Sequence, residues 1–349
     1  MISSDLSSNL HTEDPREICS IVSRLVSTAS PTVISQLADL VEADFTGIPL
    51  IWVDHWGNKR SVLRTTLNLS TVRQQWALLA LTKMPFSKAT AALNRWTPPS
   101  MILIPAGSFT MGSTEYRDEE PVHQVWLDAF WIDRYPVTNA QWAAFMESGG
   151  YQRREFWSDA GWLWKEGRIP EPDEWNKHCY KLDHPVRGVC WYEALAYARW
   201  TSKSLLGEAQ WEKAARGTDG RRYPWGNELY RDRCNVAESK IDDTTPVGLY
   251  SPEGDSPYGV ADMAGNVREW CFSLYAPYPY NSTDGRDMVN ADGDRIMRGG
   301  AFDHNAWYVR TACRSRHHPH HRRRFRGVRV GLAAHLADVS HIIAPYADD

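Results

Sequence analysis

The sequence lacks several features that would assign it to a familiar class of protein. No apolar run is long enough to span a membrane, and the polar, acidic segment 1–17 has no hydrophobic stretch typical of a signal peptide. The six cysteines are dispersed without a CxxC pair, which excludes zinc-ribbon and dithiol redox motifs. A formal net charge of -4 gives no general attraction to nucleic acid or to a membrane surface. We therefore expect a cytoplasmic protein with reduced thiols.

Tryptophan and turn-forming residues are abundant instead. The 349 residues include 17 Trp, 20 Pro and 23 Gly, and 42% of all residues are hydrophobic. Large aromatic side chains among many turn residues favour a loop-rich fold with few long helices. A chain of this length holds two domains, or one large domain with an appendage.

The segment TPPS at 97–100 marks the clearest change of pattern and is the predicted linker. Before it, residues 1–96 combine apolar residues at helical spacing with a predicted β-hairpin around 48–63, which indicates a small, mostly helical domain. This domain carries no catalytic signature, so we expect an adaptor for an intracellular partner. After the linker, short strands and long loops indicate an α+β domain at 101–334, followed by a tail at 335–349. Three helices are predicted in this domain, at 140–147, 191–202 and 208–216.

Residues 298–332 have neither helical nor strand periodicity. A Gly-Gly step opens this segment and an alternating apolar run, Val328, Val330 and Leu332, closes it as a predicted strand. Between them lie mostly Asp, His, Asn, Trp, Tyr and Arg. Too few positions are apolar to form a core, because many polar groups would be buried without partners. We therefore interpret the segment as a surface carried by a fixed frame.

Seven motifs make residues 101–334 resemble the formylglycine-generating-enzyme branch of the C-type lectin fold. In chain order they are IPAGSFTMGS (104–113), EEPVHQVWLDAFWIDRYPVTNAQWAAF (119–145), HPVRGVCWYEALAYARW (184–200), EAQWEKAARG (208–217), YPWGNE (223–228), TPVGLYSPEGDSPYGVADMAGNVREW (245–270) and MRGGAF (297–302). The resemblance implies an α+β fold with few helices, a twisted β-core and much irregular loop.

The enzymatic members of this family use two cysteines just after the Arg-Gly-Gly step to hold copper and oxidise a substrate cysteine. Here that stretch reads AFDHNAWYV, with His304 close to the place of the first cysteine, and only Cys313 follows. A soft Cu(I) site needs the thiolate pair, so no copper is expected. The iron-dependent sulfoxide synthases of a second branch carry an N-terminal His-x3-His-x-Glu site, whereas residues 1–96 contain only His11 and His55. The sequence therefore predicts a protein that is not an enzyme, with a copper- or iron-dependent oxidase of this family as the alternative.

A third branch, the variable proteins of diversity-generating retroelements, is more similar to this chain. In that branch the fold carries a C-terminal segment whose codons change at adenines within a fixed frame. The resemblance implies a variable region at 298–332, and a near-copy of its codons beside a reverse transcriptase outside this chain. The implied frame positions are Arg298, Gly299, Gly300, Val309, Arg310, Ala312, Arg314, Arg316, Pro319, Arg322, Gly327 and Arg329. The implied ligand-binding positions are Asp303, His304, Asn305, Trp307, Tyr308, Ser315, His317, His318, His320, His321, Arg323, Arg324, Phe325 and Arg326.

The residue types of this surface favour a protein or peptide ligand at 303–326, since aromatic residues and arginines dominate the hot spots of protein interfaces. Nucleic acid is a weaker alternative: Trp307, Tyr308 and Phe325 would serve as stacking platforms, but the frame arginines are expected to pair with carboxylates. The five histidines between 304 and 321 suggest a metal site as an alternative, but His-His-Pro-His-His at 317–321 lacks acidic or thiolate neighbours. Adventitious nickel or zinc binding is therefore favoured over a physiological metal.

A separate candidate site lies in the sequence DMAGNVREW. The family resemblance implies that a carboxylate, two turn carbonyls and a Glu hold calcium here, and these are the hard oxygen ligands that calcium prefers. The implied ligands are Asp262, Gly265, Val267 and Glu269. The alternative is a hydrogen-bonded turn in which Glu269 pairs with an arginine. A weaker second ion is implied at Asn235 and Val236.

Overall fold

The structure is a computed structural model that describes residues 51–53, 59–61 and 101–332. Strands β1, Ile51–Val53, and β2, Lys59–Ser61, pair antiparallel where the hairpin is predicted. The rest of the predicted N-terminal domain, the linker and the C-terminal tail lie outside the described residues. Among the described residues, no helix has both the length and the apolar character needed to cross a membrane.

Ten strands of the described region 101–332 form two four-stranded sheets and a separate hairpin. They are β3 Met101–Ile104, β4 Gly107–Met111, β5 His123–Leu127, β6 Phe130–Asp133, β7 Ser204–Leu205, β8 Arg268–Leu274, β9 Arg295–Arg298, β10 Ser315–His317, β11 Arg326–Val328 and β12 Val330–Leu332. One sheet has the order β3-β6-β12-β7, the other has the order β10-β9-β8-β11, and β4 pairs with β5. All of these neighbours are antiparallel except β8 and β11, which run parallel.

The α-helices of the same region are short, as the sequence predicts. They are α1 Asn139–Glu147, α2 Asp159–Lys165, α3 Trp175–His178, α4 Trp191–Trp200 and α5 Glu208–Arg216. Thr138 caps α1: its hydroxyl accepts from the N–H of Gln141, and its own N–H donates to the Gln141 side chain. Gly217, with φ of 73°, follows α5 at its predicted end. All three predicted helices are confirmed, although α1 begins one residue earlier and α4 ends two residues sooner than predicted.

Aromatic side chains fill much of the core, in agreement with the tryptophan-rich composition. The rings of Trp142 and Tyr197 stack with their centroids 5.2 Å apart and their planes at 12°. Trp191 and Trp270 are fully buried, and each donates its indole N–H to a backbone carbonyl, Trp191 to Cys271 at 2.9 Å and Trp270 to Val189 at 3.0 Å. Buried indoles thereby combine a large apolar area with a satisfied polar group. The mixed helix and strand content confirms the α+β class.

The segment 298–332 crosses from one sheet to the other. The closing run predicted as one strand is two strands, since Val328 ends β11 in one sheet and Val330 begins β12 in the other. At its start, Gly300 has φ of 67°, and a Cβ there would lie 2.6 Å from Val309 Cγ1. Glycine is needed here for both its backbone conformation and the close contact.

A set of charged side chains occupies another part of the interior, against α5. Glu208 and Glu212 of this helix are buried. Glu208 accepts from Arg314 Nε at 2.7 Å and Nη2 at 2.9 Å. Glu212 pairs with Arg298 at the end of β9. Because a buried charge is tolerated only when it is paired and hydrogen-bonded, these contacts fix the segment 298–332 against α5.

Replacement of Glu208 by Gln tests how much these buried pairs contribute to the free energy of unfolding. Glu208→Gln leaves buried Arg314 without its carboxylate, so the free energy of unfolding should fall by about 3–5 kcal/mol in denaturant titrations. The matched control is Glu174→Gln, because Glu174 pairs with Lys177 on the exposed surface. That change should cost less than about 1 kcal/mol. Equal, small losses for both variants would show that the buried pair does not hold the segment.

Candidate functional site

The frame of segment 298–332 is tied to the domain by arginines that bind carboxylates. Arg310 donates from Nη1 and Nη2 to the two oxygens of Glu119, each at 2.8 Å. Arg322 donates to Glu193 of α4 from Nε at 2.8 Å and from Nη2 at 2.6 Å. Together with the two arginines that contact α5, these bidentate contacts fix backbone position in several places along the segment.

Two arginines are placed opposite to their predicted roles. Arg316, predicted as frame, has a side chain that is 52% exposed and lies over the ring of Tyr275. Arg326, predicted as ligand-binding, is buried in β11 and donates to the carbonyl of His321 at 2.8 Å. Its guanidinium also faces the ring of Trp270, with Cζ 5.3 Å from the ring centroid. The assignment of Arg326 to the displayed set is therefore wrong, because that side chain joins a loop to the core.

A first group of predicted ligand-binding residues forms an aromatic cluster. The ring of His304 lies 5.5 Å from Tyr308 and 4.7 Å from Phe325, measured between centroids. Asp303 borders this cluster, and its carboxylate lies 3.5 Å from Arg324 Nε. Tyr308 is 43% exposed and Arg324 is also exposed, whereas Asp303, His304 and Phe325 are half-buried. Neighbouring Trp307 is 40% exposed and stacks on Arg310, with Cζ 4.0 Å from the ring centroid.

A second group of predicted ligand-binding residues is a histidine cluster. Ring centroids lie 4.1 Å apart for His318 and His320, and 4.3 Å apart for His320 and His321. The Nδ1 atoms of His317 and His321 lie 3.1 Å apart. His318, His320 and His321 are exposed, and His317 is half-buried. Residues 322–325 connect this cluster to the aromatic one, but the structure describes no ring contact between the two clusters.

The remaining predicted positions have simple placements. Asn305 is exposed and caps the 3-10 turn Ala306–Val309, where its side chain accepts from the N–H of Trp307 at 3.1 Å. Ser315 is half-buried at the start of β10, and Arg323 is exposed. Asn305 therefore has a structural contact as well as an exposed side chain.

Burial lowers the pKa of four histidines of the two clusters, His304, His317, His320 and His321. It lowers the pKa of His304 to about 4, with a further contribution from the charge of Arg268. It also lowers the pKa of His317 to about 4, assisted by Arg326 and His321. Burial raises the pKa of Asp303. His304 and His317 are therefore neutral near pH 7 and add no positive charge to that of the neighbouring arginines.

The two implied calcium positions are engaged in protein contacts. Glu269 accepts from Arg329 Nη2 at 2.8 Å and from the indole of Trp211 at 2.6 Å. Asp262 accepts from the N–H of Gly248 at 2.6 Å, and the Asn235 amide donates to the Asp243 carbonyl at 2.8 Å. Within the described residues no group of three His, Cys, Asp or Glu side chains is arranged to hold a metal ion. Calcium is not supported at either position, and the hydrogen-bonded turn with a Glu269–arginine pair is observed instead. This correction includes the implied carbonyl ligands, which are Gly265 and Val267 at the first position and Val236 at the second.

A cavity of about 360 Å³ beside Arg310 was not predicted from the sequence. Its walls come from three separate stretches of the chain, so no local motif marks it. The lining residues are Ser113, Glu115, Arg216, Gly220, Arg222, Asn227, Arg310, Thr311 and Ala312. Arg222 also lies 6.0 Å from the ring of Trp307, which places the cavity next to the exposed surface.

The strand order, the short helices and the buried arginine frame define a loop-rich α+β domain of the C-type lectin type. The chain belongs to the family of the Sulfatase-modifying factor enzyme 1-like domain, which matches residues 87–334. The family predicted from the motifs is thereby confirmed.

Named relatives of the chain include enzymes. It is 34% identical to the formylglycine-generating enzyme of Thermomonospora curvata, over 58% of this chain and 82% of that protein. It is 37% identical to the hercynine oxygenase of Mycolicibacterium thermoresistibile, over 61% of this chain and 53% of that protein. It is also 37% identical to serine/threonine-protein kinase pkn1 of Chlamydia pneumoniae, over 63% of this chain. The chain spans 35% of the length of that kinase and about half of that oxygenase.

One solved structure shares the fold, and a second has a weaker likeness. PvdO from Pseudomonas aeruginosa aligns with a TM-score of 0.51 and 26% identity, over 67% of this chain and 94% of that one. Treponema denticola variable protein 1 aligns with a TM-score of 0.49 and 22% identity, over 67% and 94% respectively. The second likeness is too small to carry an argument about function.

These relatives correct the prediction that the chain is not an enzyme. Proteins named formylglycine-generating enzyme and hercynine oxygenase are 33–37% identical to it over most of the domain. The prediction rests on the missing cysteine pair and on the missing N-terminal His-x3-His-x-Glu site, whereas the similarity extends through most of the domain. These two local differences do not outweigh that similarity.

The lowered pKa of His304 predicts a pH dependence of stability. Between pH 6.5 and about 4 the unfolded chain takes up a proton on this side chain that the folded chain does not, so acid favours unfolding. His304→Gln removes this proton uptake. The variant should lose less of its free energy of unfolding than the wild type between pH 7 and pH 5, as measured by urea titration. Asn305→Gln, a neighbouring change without a titrating group, should keep the wild-type pH dependence. Identical pH dependence in His304→Gln and wild type would contradict the lowered pKa.

Proposed function

We propose that this chain is a ligand-binding protein that displays an exchangeable surface on its scaffold, in the manner of the variable proteins of diversity-generating retroelements. The observation that carries the proposal is a division of roles within one segment. Four frame arginines are buried and bound to carboxylates, whereas most of the predicted ligand-binding side chains face solvent; the four are Arg298, Arg310, Arg314 and Arg329. Exposed substitutions away from such contacts usually change stability by no more than about 0.5 kcal/mol. The surface can therefore change in sequence while the frame keeps its shape.

The exposed side chains contribute few contacts that the fold requires. Within the described residues, no side-chain hydrogen bond is found for Trp307, Tyr308, His318 or Arg323. Trp307 and Tyr308 instead stack over arginines and keep large parts of their rings accessible. Accessible aromatic rings beside arginines are typical of hot spots, which supports a protein or peptide as the ligand.

A second candidate is an oxidation reaction of the kind that the names of the relatives indicate. The identity of 33–37% to a formylglycine-generating enzyme and to hercynine oxygenases supports it. The residues present do not fit a two-thiolate copper site, because His304 stands near the place of the first cysteine. Burial also raises the pKa of Cys313, which disfavours its thiolate. Oxidation of a cysteine-containing peptide would appear as a change in its mass after incubation with the chain.

Peptide selection tests the binding proposal. A displayed library of random peptides is selected on the purified full chain, and the affinities of enriched peptides are then measured for variants. Trp307→Ala and Tyr308→Ala should each weaken binding by about tenfold or more, the loss typical of a hot-spot residue. The control is Trp126→Ala on β5, because Trp126 is 59% exposed outside the segment. Circular dichroism and the thermal midpoint confirm that each variant is folded.

Binding that survives both surface changes, or that falls equally in Trp126→Ala, would contradict the proposal. The first result would place the ligand elsewhere on the chain. The second would indicate nonspecific adhesion to exposed indoles.

A further inference from the structure

Arg268 on β8 is a buried cation without an anionic partner of its own. It is 6% exposed. Within the described residues its side chain makes no hydrogen bond or ion pair, and its Nε is buried and unpaired. The buried arginines of the frame differ, because they bind carboxylates. Those arginines are Arg298, Arg310, Arg314 and Arg329.

The neighbours of Arg268 do not supply the missing charge. Its guanidinium carbon lies 5.7 Å from the centroid of the Tyr308 ring. Burial raises the pKa of Cys313, so this nearby thiol stays neutral. Asp303 acts on Arg268 only at a distance, and its carboxylate lies 3.5 Å from Arg324. A buried guanidinium without a partner lowers the stability of the free chain. Such groups are rare in folded proteins unless a ligand completes the site.

The position of Arg268 is inside the candidate surface. Its backbone N–H donates to the carbonyl of Phe325 at 2.8 Å, and its side chain lies against Tyr308. The ring of His304 contacts both of these aromatic residues. An anionic group that reaches Arg268 would therefore be bordered by the aromatic cluster.

We infer that Arg268 is the anchor for an acidic side chain of the ligand, whose carboxylate would pair with the guanidinium beside Tyr308. A planar guanidinium matches one carboxylate in a bidentate pair. The neighbouring arginines already have partners, since Arg324 contacts Asp303 and Arg326 donates to the carbonyl of His321. The aromatic rings suit the short apolar stem of Asp or Glu. This inference rests on the proposed function and names the chemistry that the surface selects.

A first test separates a binding role of Arg268 from a structural one. Arg268→Met keeps an unbranched, flexible stem and removes the guanidinium with its charge. Because that charge has no partner in the free chain, the thermal midpoint of the variant should equal or exceed that of the wild type. Arg314→Met, which removes a paired arginine, should lower the midpoint clearly. A similar loss in both variants would overturn the inference, because it would show that Arg268 holds the fold together.

A second test measures whether the chain prefers peptides with an acidic side chain over peptides with the matching amide. Two peptide libraries are identical except that one position carries Asp or Glu in the first and Asn or Gln in the second. The wild-type chain should enrich the acidic peptides by about tenfold or more, as expected for one charge-assisted hydrogen-bonded pair. Arg268→Met should lose this preference while still binding peptides through Trp307 and Tyr308. Arg316→Met, an exposed arginine of the same segment, should keep it.

Peptide binding without acid preference in the wild type, or a preference that survives Arg268→Met, would overturn the inference and leave the proposed function standing. Competition by inorganic phosphate but not by glutarate would also overturn it, since the site would then select phosphate rather than carboxylate. If the wild type binds no peptide from either library, the proposed function fails, and this inference fails with it.

Discussion

Buried pairs between arginines of the segment 298–332 and glutamates of the domain are the contacts on which the rest of the structure depends. They reach α4, α5, β8 and the 3-10 turn Arg117–Glu119, so one irregular segment is attached to elements from most of the domain. Removing one partner leaves an unpaired buried charge, which makes the pairs hard to change singly. The segment has a fixed path although it forms little regular structure, because these side-chain pairs hold it against the rest of the domain.

Under the proposed function, this arrangement places stability and recognition in different side chains of the same segment. Frame arginines face inward, while Trp307, Tyr308 and the exposed histidines face outward and contribute little to the fold. Arg268 is an exception, since it is buried and yet lacks a carboxylate partner. The same fold carries proteins named as oxygenases and as formylglycine-generating enzymes, so function has to be argued from the site and not from the scaffold.

Local patterns predicted the fold better than they predicted the site. The helix α5 was found to the residue, because Gly217 ends a run of strong helix formers. By contrast, Arg316 and Arg326 lie in the same basic stretch and look alike in the sequence. Only tertiary contacts decide that Arg316 is exposed and Arg326 is buried. The same limit applies to Glu269: its spacing suits a calcium ligand, but its partner Arg329 lies far along the chain. Pairs between distant residues leave no local signal in a single sequence.

Randomising the surface and the frame separately would test the central claim most directly. One library varies the exposed positions together, and a matched library varies the same number of frame positions. The fraction of folded members in each is measured by resistance to protease on the cell surface. The exposed set is Trp307, Tyr308, His318, His320 and Arg323, and the frame set is Arg298, Arg310, Arg314, Arg322 and Arg329. We expect most members of the exposed library to stay folded and very few of the frame library to do so. Equal folded fractions in the two libraries would contradict the separation of frame from surface.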